Sequence, residues 1–568
     1  MSSMALLDQK PWPRRRVCLW LAATAAAAAA GAVVMTFHAP LGAPAALAAA
    51  PSVLLPCGGC ITGAWEEGLA AFRGLRYGEA PLARRRWKPA APAQCGAEVL
   101  ATHDGPRCRQ GGASDSEDCL NLNVFAPPSY LGNSSSRLPV IVWIYGGMNT
   151  VGSATSYGHI ENLVRKRDCI LVAMNYRLGI FGYLALKELS AVDPRGSSGN
   201  LGITDQQLAL QWVQAGRSAR QNIRAFGGDP DRVTILGQSS GGTNVFALLA
   251  SNASRGLFHR AIALSGSPNI TMDRRTKEDQ DRRLILPKTP CTSLEGAELL
   301  ECLYELDAEV LDKALPESYQ VFDSLYDYPT NRVGLSSRVS TLVHVDGHTV
   351  TFALEDALQE GLVDVPILFQ SMAQELGCAP APQLADISRQ NFSHFLRDSF
   401  AVYGEGVAEE IDALYQHYEP PEKGGYAIDA DTGAACGLRR LTQAAAKGFK
   451  SPVYWSTVTA GPSRPMPGQR FAFHNWDLTA AAEIFDDYEP SNEDLSLGRR
   501  LRADWFELAI FGTLREAEGW KKVQDSAPGQ VIGSEVGELS NRWNADHKAT
   551  ECAFWTSIGV DQRWWWIN

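Results

Sequence analysis

The chain lacks three features that would narrow its class at once: an internal repeat, a long polar linker and an excess of positive charge. Without repeats or a polar linker, one large domain fits the 568 residues as well as several domains do. The net charge of −11 argues against nucleic-acid binding and indicates a solvated surface. Histidine is also scarce, with 10 residues, so few side chains can serve as a general base.

A long apolar segment near the N-terminus stands out from this mixed composition. Arg14–Arg16 precede Val17–Phe37, an apolar run about as long as a membrane span, which needs roughly 20 residues. Small residues that offer cleavage sites follow it. The sequence therefore predicts that residues 1–50 form a basic cytoplasmic segment with either a cleaved signal peptide or a signal anchor. Both alternatives send residues 51–568 into the secretory pathway.

The number of cysteines is consistent with entry into the secretory pathway. In an oxidising compartment, 12 cysteines indicate disulfides. The pair Cys57 and Cys60, in the stretch PCGGC, would also suit a redox or metal site. No second cysteine pair and no histidine cluster accompanies it in the sequence, so we do not expect a metal there.

Strand-like and helix-like segments alternate along most of the chain. Continuous apolar runs, typical of strands that are buried on both faces, include Leu138–Gly147, Cys169–Arg177 and Val365–Ser371. Ile203–Gln214 is typical of a helix. The alternation predicts an α/β fold with a large, mostly parallel sheet covered by helices. In such a fold the active groups lie at the C-terminal ends of the strands.

The stretch VTILGQSSGGTNV (Val233–Val245) places a serine between glycines. The pattern G-x-S-x-G fits Gly237–Gly241 with Ser239 at its centre. A β-branched run predicts a strand before the motif, and the residues after it predict a helix. Strand, sharp turn and helix are the setting of a nucleophile elbow, which exposes the hydroxyl and points the next N–H at the reacting carbonyl. A purely structural turn in a glycine-rich chain is the alternative.

Seven sequence blocks occur in an order that is typical of one family. They are FRGLRYGEAP (Phe72–Pro81), SEDCLNLNVFAP (Ser116–Pro127), VWIYGG (Val142–Gly147), NYRLGIFGYLAL (Asn175–Leu186), GNLGITDQQLALQWV (Gly199–Val213), AFGGDPDRVTILGQSSGG (Ala225–Gly242) and SRGLFHRAIALSGSP (Ser254–Pro268). From about residue 52 to about 556 the chain thus resembles the type-B carboxylesterases, the cholinesterase-like branch of the α/β-hydrolases. The resemblance implies an α/β-hydrolase fold and a serine esterase for small-molecule esters that needs no metal and no organic cofactor.

The resemblance also implies a catalytic triad in the order that α/β-hydrolases use, serine, then acid, then histidine. Ser239 would be the nucleophile, Glu375 the orienting carboxylate, and His474 the general base and acid. Gln374 and Leu376 replace the usual neighbours of the acid. A solvated loop glutamate is therefore the alternative interpretation of Glu375.

For the oxyanion hole, the resemblance implies the backbone N–H groups of Gly147, Met148 and Ser240, with no use of the Ser240 side chain. Met148 stands where relatives usually have a third glycine, and a side chain there is strained if the position needs a positive φ. Gln238 replaces the glutamate that usually precedes the nucleophile. These departures keep open a second hypothesis, a catalytically weakened adhesion or scaffold protein on the same fold.

Three disulfides are implied by the same resemblance: Cys108 with Cys119, Cys291 with Cys302, and Cys436 with Cys552. The first encloses a loop without any aromatic residue, whereas cholinesterases have there a tryptophan that binds choline by cation–π attraction. A choline ester is therefore not the expected substrate. The sequence leaves the actual ester and the oligomeric state open.

Four N-x-S/T sequons are compatible with glycosylation in a secreted protein. We expect glycans at Asn133, Asn252 and Asn391. We expect none at Asn269, because the matching segment of the family lines the acyl side of the active-site gorge.

Overall fold

A computed structural model describes residues 49–94, 98–133, 135–165, 167–214, 222–319, 342–378, 382–464, 466, 468–537 and 540–560. The predicted signal or anchor segment, Val17–Phe37, lies outside these residues. Within them, no helix combines the length and the apolar character that crossing a bilayer requires.

Strands and α-helices are numbered here in chain order over the described residues. The strands are β1 (Ser52–Leu54), β2 (Cys60–Thr62), β3 (Ala64–Glu66), β4 (Leu69–Arg76), β5 (Val99–Leu100), β6 (Asn121–Ala126), β7 (Leu138–Ile144), β8 (Ile170–Met174), β9 (Gly228–Gln238), β10 (Arg260–Leu264), β11 (Ile367–Met372), β12 (Val453–Val458), β13 (Gly533–Val536) and β14 (Asn541–Asn544). The helices are α1 (Gly179–Tyr183), α2 (Lys187–Val192), α3 (Leu201–Gln214), α4 (Asn222–Ala225), α5 (Ser240–Leu249), α6 (Arg274–Leu284), α7 (Gly296–Glu305), α8 (Ala308–Ala314), α9 (Leu354–Gln359), α10 (Arg389–Phe400), α11 (Val407–Tyr415), α12 (Pro421–Ala430), α13 (Cys436–Gly448), α14 (Trp476–Ala482), α15 (Asn492–Phe511) and α16 (Ala549–Ser557).

The main sheet runs in the order β14-β13-β12-β11-β10-β9-β7-β8-β6-β4-β3 in the described part of the chain. Its central strands, from β13 to β8, are all parallel to one another. The outer strands β14, β6, β4 and β3 pair antiparallel. The predicted α/β fold with a large, mostly parallel sheet is confirmed. Strands β1, β2 and β5 form a separate small sheet.

Most of the central strands are buried on both faces because helices cover both sides of the sheet. Every residue of β7, β8, β11 and β12 is buried. Since the central strands are parallel, their C-terminal ends meet at one edge. β9 ends at Gln238, and β11, which lies two strands away, ends at Met372. This edge holds the candidate site.

The three disulfides implied by the sequence are present in the structure, and they tie together loops and helices outside the main sheet. One of them, between Cys436 and Cys552, joins α13 to α16. Cys57 and Cys60 are also disulfide-bonded. Cys169 and Cys378 have free thiols.

Candidate active site

Ser239 lies in the sharp turn between β9 and α5, with φ 60° and ψ −130°. This is an unfavourable conformation for a residue with a side chain, and such residues are concentrated at functional sites. The turn is also crowded. A Cβ atom on Gly237 would lie 2.2 Å from the Gly241 oxygen, and one on Gly241 would lie 2.1 Å from the Ile144 oxygen. The strand, turn and helix predicted for this motif are therefore present, with glycine required on both sides of Ser239.

Glu375, which is buried, and His474, which is partly exposed, form a pair at the same edge of the sheet. His474 Nδ1 lies 2.5 Å from Glu375 Oε2, and the His474 backbone N–H donates to the Glu375 carbonyl at 2.9 Å. The other carboxylate oxygen accepts the backbone N–H of Met372 at 2.8 Å. Because Glu375 is completely buried, the alternative of a solvated loop glutamate is wrong. The carboxylate is held by hydrogen bonds and fixes the orientation of the imidazole.

A second buried carboxylate, Asp477, lies close to this pair on the first turn of α14. Burial raises the pKa of Asp477 to about 6, against hydrogen bonds from the Gln370 side chain and the Leu478 backbone that lower it. The sequence analysis did not identify this residue. The only feature of the sequence that pointed to Asp477 was its position three residues after His474. An aspartate at the start of a helix is more often a surface residue.

His474 Nε2 faces the side chain of the residue that precedes the nucleophile. It lies 3.0 Å from Gln238 Nε2. Gln238 Oε1 in turn accepts the hydroxyl of Tyr157 at 2.7 Å. Within the described residues, the Ser239 hydroxyl makes no hydrogen bond to protein. The sequence analysis identified Gln238 only by the charge it removes, and it did not identify Tyr157 at all.

The loop that follows β7 adopts left-handed backbone conformations at three successive residues. The φ angles are 119° at Gly147, 57° at Met148 and 55° at Asn149. Met148 therefore occupies the kind of position that favours glycine, which is the condition under which the sequence implies strain there. The loop lies against the elbow, since a Cβ atom on Gly146 would be 2.6 Å from the Gln238 carbonyl oxygen and from Ser239 Cβ.

Asn149 locks this loop to the elbow. It is completely buried, and its backbone N–H donates to Ser240 Oγ at 3.0 Å. Its side-chain oxygen accepts from Tyr183 Oη at 3.1 Å and from Asn244 Nδ2 at 2.8 Å. The Ser240 hydroxyl therefore has a structural use that we did not expect, since the sequence analysis assigned a role to its backbone N–H alone.

Cavities lined by described residues include two that lie beside the elbow and the oxyanion loop. One, of about 1030 Å³, has Tyr157 and Asn475 in its wall. The other, of about 710 Å³, is lined by Val151 and Phe181 and by the loop that the Cys108–Cys119 disulfide encloses. That loop contributes polar and small residues to the wall, in agreement with the absence of an aromatic choline site.

Comparisons with known proteins agree with the geometry. The model of the carboxylesterase family matches residues 49–555. The para-nitrobenzyl esterase of Bacillus subtilis (strain 168) is 39% identical over 508 residues, which cover 84% of this chain and 94% of that protein. The fumonisin B1 esterase of Sphingopyxis macrogoltabida is 28% identical over 562 residues, 91% of this chain and 94% of that protein. A solved structure of PNB esterase superimposes with a TM-score of 0.67 and 26% identity, covering 89% of this chain and 99% of that one.

Proposed function

The chain belongs to the carboxylesterase family and is a carboxylic ester hydrolase, and we propose that it works through a Ser239–His474–Glu375 triad and an acyl-enzyme intermediate. The observation that carries the proposal is the hydrogen bond between His474 and the buried Glu375 at the sheet edge where the strained Ser239 turn lies. A hydroxyl attacks an ester poorly without a base, and the base needs a fixed tautomer. The pair supplies both requirements.

In the proposed reaction, Ser239 Oγ forms a bond to the ester carbonyl carbon while its proton passes to His474 Nε2. The carbonyl oxygen becomes negatively charged, and the tetrahedral intermediate collapses when His474 gives the proton to the leaving alcohol. Water then repeats the sequence on the acyl-enzyme and releases the carboxylic acid. Glu375 stays ionised throughout and stabilises the imidazolium.

The negative oxygen needs preorganised donors, which are worth about 10²–10³ in rate each. We assign this role to the N–H groups of Gly147, Met148 and Ser240. Ser240 begins α5, so its N–H is one of those that have no partner inside the helix. Support for the other two comes from the left-handed loop conformation and from the hydrogen bond between Asn149 and Ser240.

The proposal is tested with a short-chain p-nitrophenyl ester and an organophosphate. We expect the wild-type protein to hydrolyse the ester and the organophosphate to label Ser239 rather than Ser240. Ser239→Ala should lose about 10⁴–10⁶ in kcat, and His474→Ala should fall to a similar rate. The double variant should be no slower than either, because residues that act as one unit are not additive. Ser557→Ala, at an exposed serine at the end of α16, is the matched control.

A folded protein that neither hydrolyses the ester nor binds the organophosphate would contradict the triad. It would favour the weakened adhesion or scaffold hypothesis for this chain.

We also propose that the enzyme works in the secretory pathway, outside the cell or in a lumen. Support comes from the disulfides of the folded part and from the apolar segment Val17–Phe37 that follows Arg14–Arg16. The test is cell fractionation with N-terminal sequencing. Detergent-free release of a protein that starts near residue 51 indicates a cleaved signal, and retention of Val17–Phe37 in the membrane fraction indicates an anchor. A full-length protein in the cytosol would contradict the proposal.

A further inference from the structure

Two side chains, Tyr157 and Gln238, lead from beside the oxyanion loop to the catalytic base. The Tyr157 hydroxyl lies against Gly146, where a Cβ atom would be 2.6 Å from it, and it donates to Gln238 Oε1 at 2.7 Å. The other end of the Gln238 amide lies 3.0 Å from His474 Nε2. Gln238 is completely buried, and the Tyr157 ring packs edge-to-face on Trp143 with centroids 5.4 Å apart. Both side chains are therefore held in place.

Each hydrogen bond in this series is donated toward His474. The Tyr157 hydroxyl donates its proton to Gln238 Oε1. The amide can then present only its NH₂ group to His474. At the far side of the ring, His474 Nδ1 donates to Glu375. His474 Nε2 must accept a proton from Gln238, which is possible only when the imidazole is neutral.

We propose that Gln238, oriented by Tyr157, is a positioning residue that holds His474 in the neutral form, with the proton on Nδ1 and the lone pair on Nε2. This inference rests on the proposed triad. The form that Gln238 stabilises is the one that a general base needs, and the Ser239 hydroxyl replaces the amide at Nε2 when attack begins. Once Nε2 holds the Ser239 proton, the Gln238 N–H has no acceptor there, so the amide favours return of the proton to the leaving group.

A glutamate at the same place would act in the opposite direction. Its carboxylate, about 3 Å from Nε2, would favour the imidazolium, which cannot act as a base. The titratable groups close to His474 include Glu375, Asp477, Tyr157, which reaches it through Gln238, and Cys378, whose thiol donates to the Glu375 carbonyl. Substitutions at Gln238 change none of these four residues, so a shift between those variants reports on the amide.

The experiment is a double-mutant cycle between Tyr157→Phe and Gln238→Met, read as the pH dependence of kcat/KM. Tyr157→Phe removes the donor that orients the amide, so Gln238 can turn its oxygen toward a protonated Nε2. We expect the acid limb to move to higher pH by about 0.5–1 unit in the Gln238 background. In the Gln238→Met background, Tyr157→Phe should not move it. Gln238→Glu should move it by more than about 1 unit.

A second measurement does not depend on turnover. The low-field proton resonance of His474 Nδ1–H, followed against pH, reports the charge of the imidazole directly and should show the same shifts in the same variants. Tyr454→Phe is the matched control, since it removes another buried tyrosine hydroxyl, one that accepts the Leu514 N–H. Thermal unfolding of every variant checks that the fold is intact.

Two results would overturn the inference. One is that Tyr157→Phe shifts the acid limb of kcat/KM equally in the Gln238 background and in the Gln238→Met background. The other is a Gln238→Glu variant that is slower at every pH with unmoved midpoints. Failure of the proposed triad is a separate result, because organophosphate labelling of Ser239 would then be absent in the wild type while the resonance could still titrate.

Discussion

His474 and Glu375 are joined twice, once through side chains and once through backbone. The imidazole Nδ1 lies 2.5 Å from the carboxylate, and the His474 N–H donates to the Glu375 carbonyl at 2.9 Å. The two residues follow the neighbouring parallel strands β11 and β12. The sheet thus brings together residues that are 99 positions apart in the sequence.

Glu375→Gln should therefore keep the position of the imidazole but reverse its tautomer. The Met372 N–H requires an acceptor, so the new amide oxygen faces Met372 and its NH₂ group faces His474 Nδ1. The proton then moves to Nε2, where it blocks attack. We expect a loss of about 10³–10⁴ in kcat, somewhat less than for Ser239→Ala, measured with a p-nitrophenyl ester. An activity within a few-fold of the wild type would contradict the role of Glu375.

Ser240→Ala should reduce the rate although the nucleophile is intact. Removal of the hydroxyl leaves the Asn149 N–H buried without an acceptor, which costs about 1–3 kcal/mol, and it releases the oxyanion loop from the elbow. We expect kcat/KM to fall about 10-fold or more. Ser240→Thr, which keeps the hydroxyl, is the control and should retain more activity than the alanine variant. A silent Ser240→Ala would mean that the loop holds its shape through Tyr183 and Asn244 alone.

Met148→Gly should relax the oxyanion loop and widen the acyl side. The residue has φ 57°, where glycine is favoured by about 1 kcal/mol or more, so the substitution does not strain the backbone. If the side chain crowds the acyl group, the variant should accept longer or branched acyl chains, with an increase in kcat. The measurement is kcat/KM over a series of p-nitrophenyl esters. Unchanged selectivity along the series would show that the side chain points away from the acyl group.

Asp477→Asn should change the pH dependence of stability. An unfolded aspartate titrates near pH 3.9, whereas burial raises the pKa of Asp477 to about 6. Between these values the folded protein binds a proton that the unfolded chain has lost, so the carboxylate destabilises the fold by up to about 3 kcal/mol above pH 6, and this cost disappears as the pH falls toward 4. The Gln370 amide can turn to pair with the new asparagine.

The difference in Tm between Asp477→Asn and the wild type should therefore be positive at pH 7.5 and decrease toward pH 4.5. Thermal unfolding followed by circular dichroism measures this difference. The contributions of all titratable groups that the two proteins share cancel in it. Asp486→Asn, at an exposed aspartate, is the control and should show no such trend. A difference that is the same at every pH would mean that Asp477 titrates at its ordinary value.

Glycosylation should follow the exposure of the sequons when the protein is made in a eukaryotic secretory pathway. Asn133, Asn252 and Asn391 are exposed. Asn269 is only 8% exposed, and its side-chain oxygen accepts the Thr271 hydroxyl at 2.9 Å. We therefore expect glycopeptide mass spectrometry to find glycans at the first three sites and none at Asn269. Full occupancy of Asn269 would mean that this segment is exposed while the chain is being glycosylated.

Strands with a continuous apolar pattern were predictable from the sequence. The stretch VYWSTV corresponds to β12 without any shift, and the run Cys169–Arg177 contains β8. β9 extends further than its apolar pattern, from Gly228 rather than Val233, because its first residues, GDPDR, pair with β7 through an irregular register. Glycine, proline and aspartate have low strand propensity, so only the neighbouring strand makes this segment extended.

Within the site, the pair Glu375 and His474 could be expected from the sequence, but the hydrogen-bond partners of Gln238 and Ser240 could not. Ser239, Glu375 and His474 occur in recognisable motifs. The contacts of Gln238 join residues that are 81 and 236 positions apart, and they depend on the orientation of one side-chain amide. The hydrogen bond of the Ser240 hydroxyl likewise depends on a loop residue, Asn149, that lies 91 positions away. No local pattern encodes such pairs, because the fold alone brings them together.

The crowding at the turn also determines which residues of the motif can be substituted during evolution. Any side chain at Gly237 or Gly241 would overlap a backbone oxygen, so both glycines are demanded by the geometry of the sheet edge whether or not the protein turns over an ester. Selection for folding alone would retain them in a descendant that had lost catalysis. The residues between them are under a different constraint, since their side chains form the hydrogen bonds of Gln238 and Ser240 and supply the proposed nucleophile, Ser239. The glycines of the motif are thus required by the fold, whereas Gln238 and Ser239 are the residues that would change with the chemistry.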